Sequence, residues 1–197
     1  MKKNFFIIIF LIFAFTQKSF GYSSDPKQFI TEIVNETKKI LVETNTKEFK
    51  SIKLSEMALK TVDIKGVAYY SLGNYRKQLK DEQLKEYLTL FEKYFLKSFT
   101  YRLTDYSDPK IDVLSTEVIN DKYTIVKSIL IATDKKPEVK IEWRVYTKNP
   151  DKPLIRDLII EGLSLARTQK EEFASVIETN NGDINKLFIT LKEFTAK

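Results

Sequence analysis

Pairs of carboxylates are the residues of this chain whose type and spacing could support catalysis. Glycosidases use two carboxyl groups, one as a general acid and the other as a base or nucleophile. The candidate pairs lie only a few positions apart in the chain: Glu36/Glu43, Asp105/Asp108, Asp157/Glu161 and Glu171/Glu172. A chain with 27 Asp and Glu produces such pairs by chance, and no further motif accompanies any of them. Glycosidase chemistry is therefore a weak hypothesis.

The residue types that the chain lacks exclude most other active sites. Its 197 residues contain no His and no Cys. The sequence thus has no Ser-His-Asp triad, HExxH zinc site, facial-triad iron site, thiol nucleophile, zinc ribbon or disulfide. Neither Ser55 nor Ser71 is followed three positions later by Lys, and no glycine-rich phosphate loop occurs. We expect neither an enzyme nor a cofactor.

The N-terminus has the pattern of an export signal. A short positively charged segment precedes an unbroken apolar run of eleven residues, Phe5 to Phe15. Ser19 and Gly21 then supply small residues at the −3 and −1 positions of a cleavage site before Tyr22. A bilayer span needs about 20 apolar residues, so the run is too short to cross a membrane. We predict a signal peptide over residues 1–21, with an uncleaved anchor as the alternative.

The charge of the remaining chain gives no case for nucleic-acid binding. Removal of residues 1–21 takes away three Lys and no acidic residue, so the formal net charge falls from +6 to +3. The remaining Lys alternate with Glu and Asp, which is typical of a solvated surface. Residues 22–197 contain no repeat and no long linker, and we predict that they form one domain.

The spacing of apolar residues changes from helical to alternating and back again. Helices are expected near 26–45, 47–61, 62–75 and 81–99, strands at 101–103, 111–119, 123–132, 139–147 and 154–160, and helices at 164–180 and 183–194. Short turns between consecutive strands predict an antiparallel meander with one dry face. The expected fold class is α+β, with helices packed around a twisted antiparallel sheet of about four to five strands.

Aromatic residues are concentrated in the first half of the predicted domain. Six Tyr and three Phe lie from position 69 to position 101. One interpretation is an aromatic core, and the other is a cavity lined by helices and a sheet face with a wet mouth suited to an amphiphile. Periodicity does not distinguish these two interpretations.

Two segments have a more specific pattern. The segment Val62–Arg76 contains the pattern D-x-x-x-hydrophobic-A, followed by Leu72-Gly73-x-Tyr75. A second patterned segment begins at Asp157. The matching positions of that segment are Asp157, Glu161, Gly162, Ser164, Phe173, Gly182 and Leu187. Together these segments resemble the MlaC family of periplasmic phospholipid-binding proteins, also called toluene-tolerance auxiliary transport proteins. The segment between residues 44 and 62 is shorter than the family pattern, and Arg156 stands where an aromatic or small residue is usual.

The resemblance implies an NTF2-like fold that encloses an apolar pocket for acyl chains, with phospholipid bound as cargo. It implies location in the periplasm of a Gram-negative bacterium and maintenance of outer-membrane lipid asymmetry. The implied partners are an inner-membrane ABC transporter with an MCE-domain subunit and an outer-membrane lipoprotein–porin complex. A pocket for two acyl chains should have a volume of about 1,000 Å³ or more. The alternative is an exported NTF2-like protein-binding or adhesion module with a solid core and no lipid.

The residues predicted to line the pocket come from the matched segments, the aromatic helix and the alternating sheet face. They are Val67, Tyr70, Leu72, Tyr75, Leu88, Phe91, Phe95, Phe99, Ile125, Ile129, Ile141, Trp143, Leu158, Ile160 and Leu163. Glycines and acids at the turns, such as Gly73 and Glu161, are expected to act as turn and cap residues.

Overall fold

The computed structural model describes residues 21–133 and 137–196. The predicted signal peptide therefore lies outside the described residues except for Gly21. The helices and strands are α1 (Pro26–Val42), α2 (Lys47–Thr61), α3 (Ile64–Leu72), α4 (Asp81–Leu103), β1 (Ile111–Asn120), β2 (Tyr123–Leu130), β3 (Val139–Tyr146), β4 (Leu154–Ile160), β5 (Leu163–Ser164), α5 (Leu165–Glu178) and α6 (Ile184–Ala196). The order of elements confirms the α+β fold class.

The five strands form one antiparallel sheet in the order β1-β2-β3-β4-β5. Each strand pairs with the next one along the chain, as the short turns predict. The turn between β4 and β5 consists of Glu161 and Gly162, both with positive φ (49° and 81°). Two consecutive positive φ values fit the right-handed twist of a two-residue hairpin.

The inner face of the sheet is the one that packs against α1 and α2. Val126, Val145 and Ile155 lie on it and are almost completely buried. Residues directly opposite each other in an antiparallel pair point to the same face. The register places Trp143 opposite Val126, and Leu158 opposite Trp143, so these two residues also lie on the inner face.

The expectation that the odd-numbered residues of β2 and β3 share one face is wrong. Ile125 pairs with Arg144, and Ile129 pairs with Lys140, which places both isoleucines on the outer face. Strand β2 carries apolar residues on both faces, so its alternation is ambiguous. The register of the β2–β3 pair decides which set shares a face with the buried Val145 of β3.

The strand expected at 101–103 is also wrong, because α4 continues through these residues to Leu103. Leu103 lies four residues beyond Phe99, and both side chains pack against the buried residues of the inner face and α1. Tyr101 is 67% exposed because it falls on the solvent side of the same turn. Three residues are too few for strand alternation to be distinguished from one helical turn.

The buried apolar side chains form two separate clusters. The sheet cluster lies between the inner face and α1 and α2, and it consists of Phe29, Ile30, Ile33, Val34, Ile40, Leu41, Leu54, Met57, Val126, Val145 and Ile155. The helix cluster lies among α3 to α6, and it consists of Ile64, Val67, Ala68, Leu72, Tyr87, Leu90, Phe91, Phe173, Ile177, Ile184, Leu187, Phe188 and Leu191. Val62, between α2 and α3, packs against both clusters.

A polar clamp joins the start of α3 to the sheet. The guanidinium of Arg156 in β4 donates to Asp63 Oδ2 through Nε at 2.6 Å and to the Tyr123 hydroxyl through Nη1 at 2.8 Å. Its plane lies over the ring of Tyr146, 3.5 Å from the centroid. Asp63 Oδ1 accepts from the backbone N–H of Gly66 at 2.9 Å and caps α3. Arg156 therefore fixes the helix that carries Val67 and Leu72 relative to the sheet.

Candidate functional site

An aromatic ladder on α4 connects the two apolar clusters. Phe91, Phe95 and Phe99 lie four residues apart, so their side chains project from the same side of the helix. The rings of Phe91 and Phe95 are 6.3 Å apart, and those of Phe95 and Phe99 are 5.9 Å apart with only 8° between their planes. Phe91 is buried in the helix cluster, whereas Phe99 packs against the sheet cluster. The ladder provides a continuous apolar track between the two.

The inner face continues beyond the sheet cluster as a half-buried apolar strip. Its residues come from three neighbouring strands and are Leu130, Val139, Ile141, Trp143, Leu158 and Ile160. Trp143 and Leu158 contact the sheet cluster, and the other four belong to neither cluster. Apolar side chains that are half exposed in this way provide surface that a hydrophobic ligand can cover.

The polar groups on this strip hydrogen-bond to one another. Trp143 Nε1 donates to Ser128 Oγ at 2.8 Å, and Ser128 Oγ donates to the carbonyl of Ile141 at 3.2 Å. The Ser128 side chain is 2% exposed, so both its donor and its acceptor are used within the sheet. No polar group of this trio requires water, and the surface above it suits hydrocarbon rather than a charged group.

Charged residues near the sheet are engaged in structural contacts. The Asp157 carboxylate on the outer face accepts from Ser164 Oγ at 2.6 Å and from the backbone N–H of Ala166 at 2.9 Å. Arg144 Nη1 lies 3.3 Å from it. Ser164 Oγ in turn accepts from the Arg167 N–H, which caps α5. These bonds assign Asp157 to the corner between β4 and α5.

Two of the cavities on the described part of the chain are small. The first, about 220 Å³, lies where α2, α3 and β4 meet, and its lining includes Lys60, Asp63 and Leu154. The second, about 130 Å³, lies among α4, α5 and α6 and is bordered by Phe173 and Phe194. Neither cavity approaches the expected 1,000 Å³, and none of the fifteen residues predicted to line the pocket borders either one.

The structure places the predicted lining residues in three groups. Val67, Leu72, Tyr75, Leu88, Phe91 and Phe95 are in or against the helix cluster, whereas Phe99, Ile141, Trp143, Leu158 and Ile160 are against the sheet cluster or on the apolar strip. The remaining four, Tyr70, Ile125, Ile129 and Leu163, lie elsewhere.

Tyr70 and Leu163 are exposed by 46% and 58%. Tyr70 lies beside the buried stripe of α3, with the Lys170 ammonium 5.4 Å from its ring. Leu163 follows the tight turn between β4 and β5. The sequence did not identify Ser128, Leu130 and Val139 as residues of the inner face. The signal for them was the run of adjacent apolar residues in β2, which indicates that both faces of that strand could be buried.

Tyr87 is an aromatic residue of the helix cluster whose hydroxyl is hydrogen-bonded inside the core. Its side chain is fully buried, and its hydroxyl donates to the carbonyl of Ala68 at 3.0 Å. Burial raises the pKa of this hydroxyl well above its ordinary value.

Within the described ranges, no group of acidic side chains is arranged to hold a metal ion, and no helix has the length and hydropathy to cross a bilayer.

Comparison with known protein families places this fold. The family model described as MlaC protein matches residues 28–193. The chain belongs to the MlaC family. The match covers both apolar clusters, the aromatic ladder and the strip on the inner face of the sheet. It confirms the resemblance carried by the segments that begin at Val62 and Asp157.

A solved structure shows the same fold. It is that of a phospholipid-binding protein from Ralstonia solanacearum in complex with a phospholipid, with a TM-score of 0.71 and 19% sequence identity. The alignment covers 88% of this chain and 97% of that one. No match was found among curated proteins.

Proposed function

We propose that this member of the MlaC family is a periplasmic phospholipid carrier. It holds the acyl chains of its cargo between the inner face of the sheet and the helices and leaves the headgroup in water. The observation that carries the proposal is the half-buried apolar strip on the inner face, which continues the sheet cluster against which Phe99 of the aromatic ladder packs. The phospholipid held by the Ralstonia solanacearum protein of the same fold supports it.

The energetic requirement for such a carrier is large. Moving one CH₂ group from hydrocarbon into water costs about 0.8 kcal/mol, so a lipid with about 30 methylenes faces a barrier of roughly 24 kcal/mol. The carrier must return nearly all of it through apolar contact. The strip and the ladder supply such contact without a charged group, and acyl chains are therefore recognised more strongly than the headgroup.

Cargo entry requires the two clusters to separate along the ladder. Among the described residues, Val62 packs against both clusters, and the ladder rings contact one another in series between them. When an acyl chain inserts between the strip and the ladder, the apolar residues there lose contacts with one another and gain contacts with the lipid. Such an exchange conserves buried apolar area and therefore costs little free energy.

In this proposal the chain is exported, loses residues 1–21 and moves phospholipid between two membrane complexes. The partners are an inner-membrane ABC transporter with an MCE-domain subunit and an outer-membrane lipoprotein–porin complex. Transport between them would maintain the lipid asymmetry of the outer membrane. The function needs no catalytic residue, cofactor or metal.

The fluorescence of Trp143 tests the position of the acyl chains. It is the only Trp of the chain and lies on the inner face. After incubation with vesicles of phospholipid brominated on the acyl chain, re-isolated protein should show quenched emission relative to protein loaded with the unbrominated lipid. Equal emission from both samples, with lipid bound in each, would place the acyl chains elsewhere.

A matched pair of variants distinguishes the two faces of the sheet. Ile141 and Ile129 are half-buried residues at the same end of the sheet, but Ile141 lies on the inner face and Ile129 on the outer face. Ile141→Glu should lose bound lipid and retain a native far-UV spectrum, whereas Ile129→Glu should bind as the parent does. Equal lipid content in both variants would refute the assignment of the binding surface.

The small volumes of the two cavities favour the solid-core alternative as a second candidate. A protein-binding or adhesion module needs no room for acyl chains, and cavities of about 220 and 130 Å³ suit it. This alternative predicts that no phospholipid co-purifies with the folded chain and that none is taken up from vesicles.

A further inference from the structure

The inner face of the sheet is closed at one end and open at the other. Val145 and Ile155, a directly opposed pair in the sheet cluster, are 0% and 6% exposed. The next two pairs of β3 and β4 on the same face are half-buried, and they are Trp143–Leu158 and Ile141–Ile160. Beyond them Leu163, opposite Ile160 in β5, is 58% exposed. The apolar strip therefore has a closed end at Val145 and an open end at the turn between β4 and β5.

The strip has about the length of one acyl chain. Val139, Ile141 and Trp143 project from the inner face of β3, and the interval from Val139 to Trp143 spans about 14 Å at the rise of an antiparallel strand. The hydrocarbon core of a bilayer is about 30 Å thick, so an acyl chain spans about 15 Å in its own leaflet. A single chain that lies parallel to β3 can therefore contact the strip along its whole length.

Trp143 stands at the closed end of the strip in a fixed orientation. Its indole Nε1 donates to Ser128 Oγ at 2.8 Å. Ser128 pairs with Ile141, one pair nearer the open end, so the indole leans toward β2 and toward that end. Ser128 is almost completely buried, and Leu158 of β4 lies on the other side of Trp143. The sheet itself thus sets the position of the indole, and the buried Val145, the next inner-face residue of β3, lies behind it.

We propose that Trp143 is the floor of a single-chain acyl site and that it selects cargo by chain length. The inference rests on the carrier function proposed above, and it assigns one of the two acyl chains to the strip. The methyl end of that chain meets the indole of Trp143, and its ester end leaves the strip beyond Val139, where the headgroup meets water. A chain longer than the strip leaves methylenes in water, and each of them lowers its affinity about fourfold.

The lengths of the bound chains test the floor. The protein is incubated with vesicles that contain equal amounts of diacyl phosphatidylglycerols whose chains increase in two-carbon steps, and the lipids extracted from the re-isolated protein are quantified by mass spectrometry. Up to the length of the strip, the bilayer and the protein bury each added methylene equally, so the bound share should be constant. Beyond that length the bound share should fall at least about fourfold per step.

Variants at the two ends of the strip show whether Trp143 sets the limit. Trp143→Ala should move the fall to longer chains by one or two steps, because the next closed pair lies about 7 Å further along β3. Trp143→Leu, which keeps an apolar side chain at this position if the alanine variant does not fold, should move it in the same direction by a smaller interval. Val139→Ala is the matched control at the open end, and it should lower the bound share of every length without moving the fall.

Brominated lipids test the direction of the chain in the parent protein. Trp143 is the only Trp, and bromine quenches its emission at short range, so lipid brominated near the methyl end should quench most and lipid brominated near the ester should quench least. Bound lipid without a fall in the length profile, a fall at the parent length in the Trp143 variants, or the reverse order of quenching would overturn the floor and leave the carrier function standing. Failure to take up lipid of any length would overturn both.

Discussion

Removal of the Asp63 carboxylate should destabilise the domain far more than removal of an ordinary surface carboxylate. Asp63 caps α3 through the Gly66 N–H and pairs with Arg156 at 2.6 Å, and its side chain is 18% exposed. Loss of an N-cap costs about 1 kcal/mol, and loss of a charge-assisted hydrogen bond costs about 1.5–3 kcal/mol. Partial exposure reduces the second contribution, so we expect Asp63→Ala to lower the free energy of unfolding by about 3 kcal/mol.

The measurement is urea-induced unfolding followed by circular dichroism, with Asp105→Asn as the matched control. Asp105 pairs with Lys47 at 2.9 Å, but both side chains are more than half exposed. Such surface pairs contribute about 0–1 kcal/mol. The control should therefore remain within about 1 kcal/mol of the parent, and the difference between the two variants measures the clamp.

Gly66→Ala provides an independent check, because this substitution normally stabilises a helix and is expected to destabilise this one. Replacement of Gly by Ala inside a helix normally stabilises it by about 1 kcal/mol. Here a Cβ on residue 66 would overlap the carboxylate of Asp63, so the capping group and its bond to Arg156 must shift. We expect destabilisation comparable with that of Asp63→Ala. If both variants unfolded within 1 kcal/mol of the parent, the clamp would contribute nothing and the reasoning would be refuted.

Three further predictions follow from the buried groups. Tyr87→Phe should lower the free energy of unfolding by about 1 kcal/mol in urea titrations, because the Ala68 carbonyl loses its hydroxyl donor; an unchanged midpoint would contradict this. Burial raises the pKa of the Tyr22 and Tyr87 hydroxyls, so the folded state retains protons that the unfolded state loses. Stability should be constant below about pH 10 and fall above it, more steeply in the parent than in Tyr87→Phe; equal slopes in urea titrations at pH 9–11 would argue against it. Leu72→Glu should fail to fold, because Leu72 is 1% exposed in the helix cluster, whereas Ile160→Glu should fold and lose its lipid; circular dichroism and lipid extraction distinguish these outcomes.

Local signals in the sequence predict the elements of this fold well. Asp25 followed by Pro26 starts α1, and its carboxylate accepts from the Gln28 N–H at 2.8 Å. Ser164 starts α5 in the same manner. These caps depend on residues only three positions apart, and a pattern of residue types is enough to identify them.

The sequence does not predict which surfaces meet. Ile125 and Val126 are adjacent, and both are almost completely buried, on opposite faces of the sheet. Only the pairing of β2 with β3 decides which of them faces the helices. The aromatic ladder is visible in the spacing of Phe91, Phe95 and Phe99, but its position between two separate clusters depends on how α4 packs against distant elements.

The most direct test of the carrier proposal is native mass spectrometry of the protein, expressed as the full chain in a Gram-negative host and purified without detergent, followed by solvent extraction and lipid analysis. We predict a mass excess that corresponds to one or two phospholipid molecules, which the extract then identifies. Protein that is emptied by extraction, refolded and incubated with phospholipid vesicles should regain the same excess. A folded protein that keeps its bare mass after purification and after incubation with vesicles would contradict the account and favour the solid-core module.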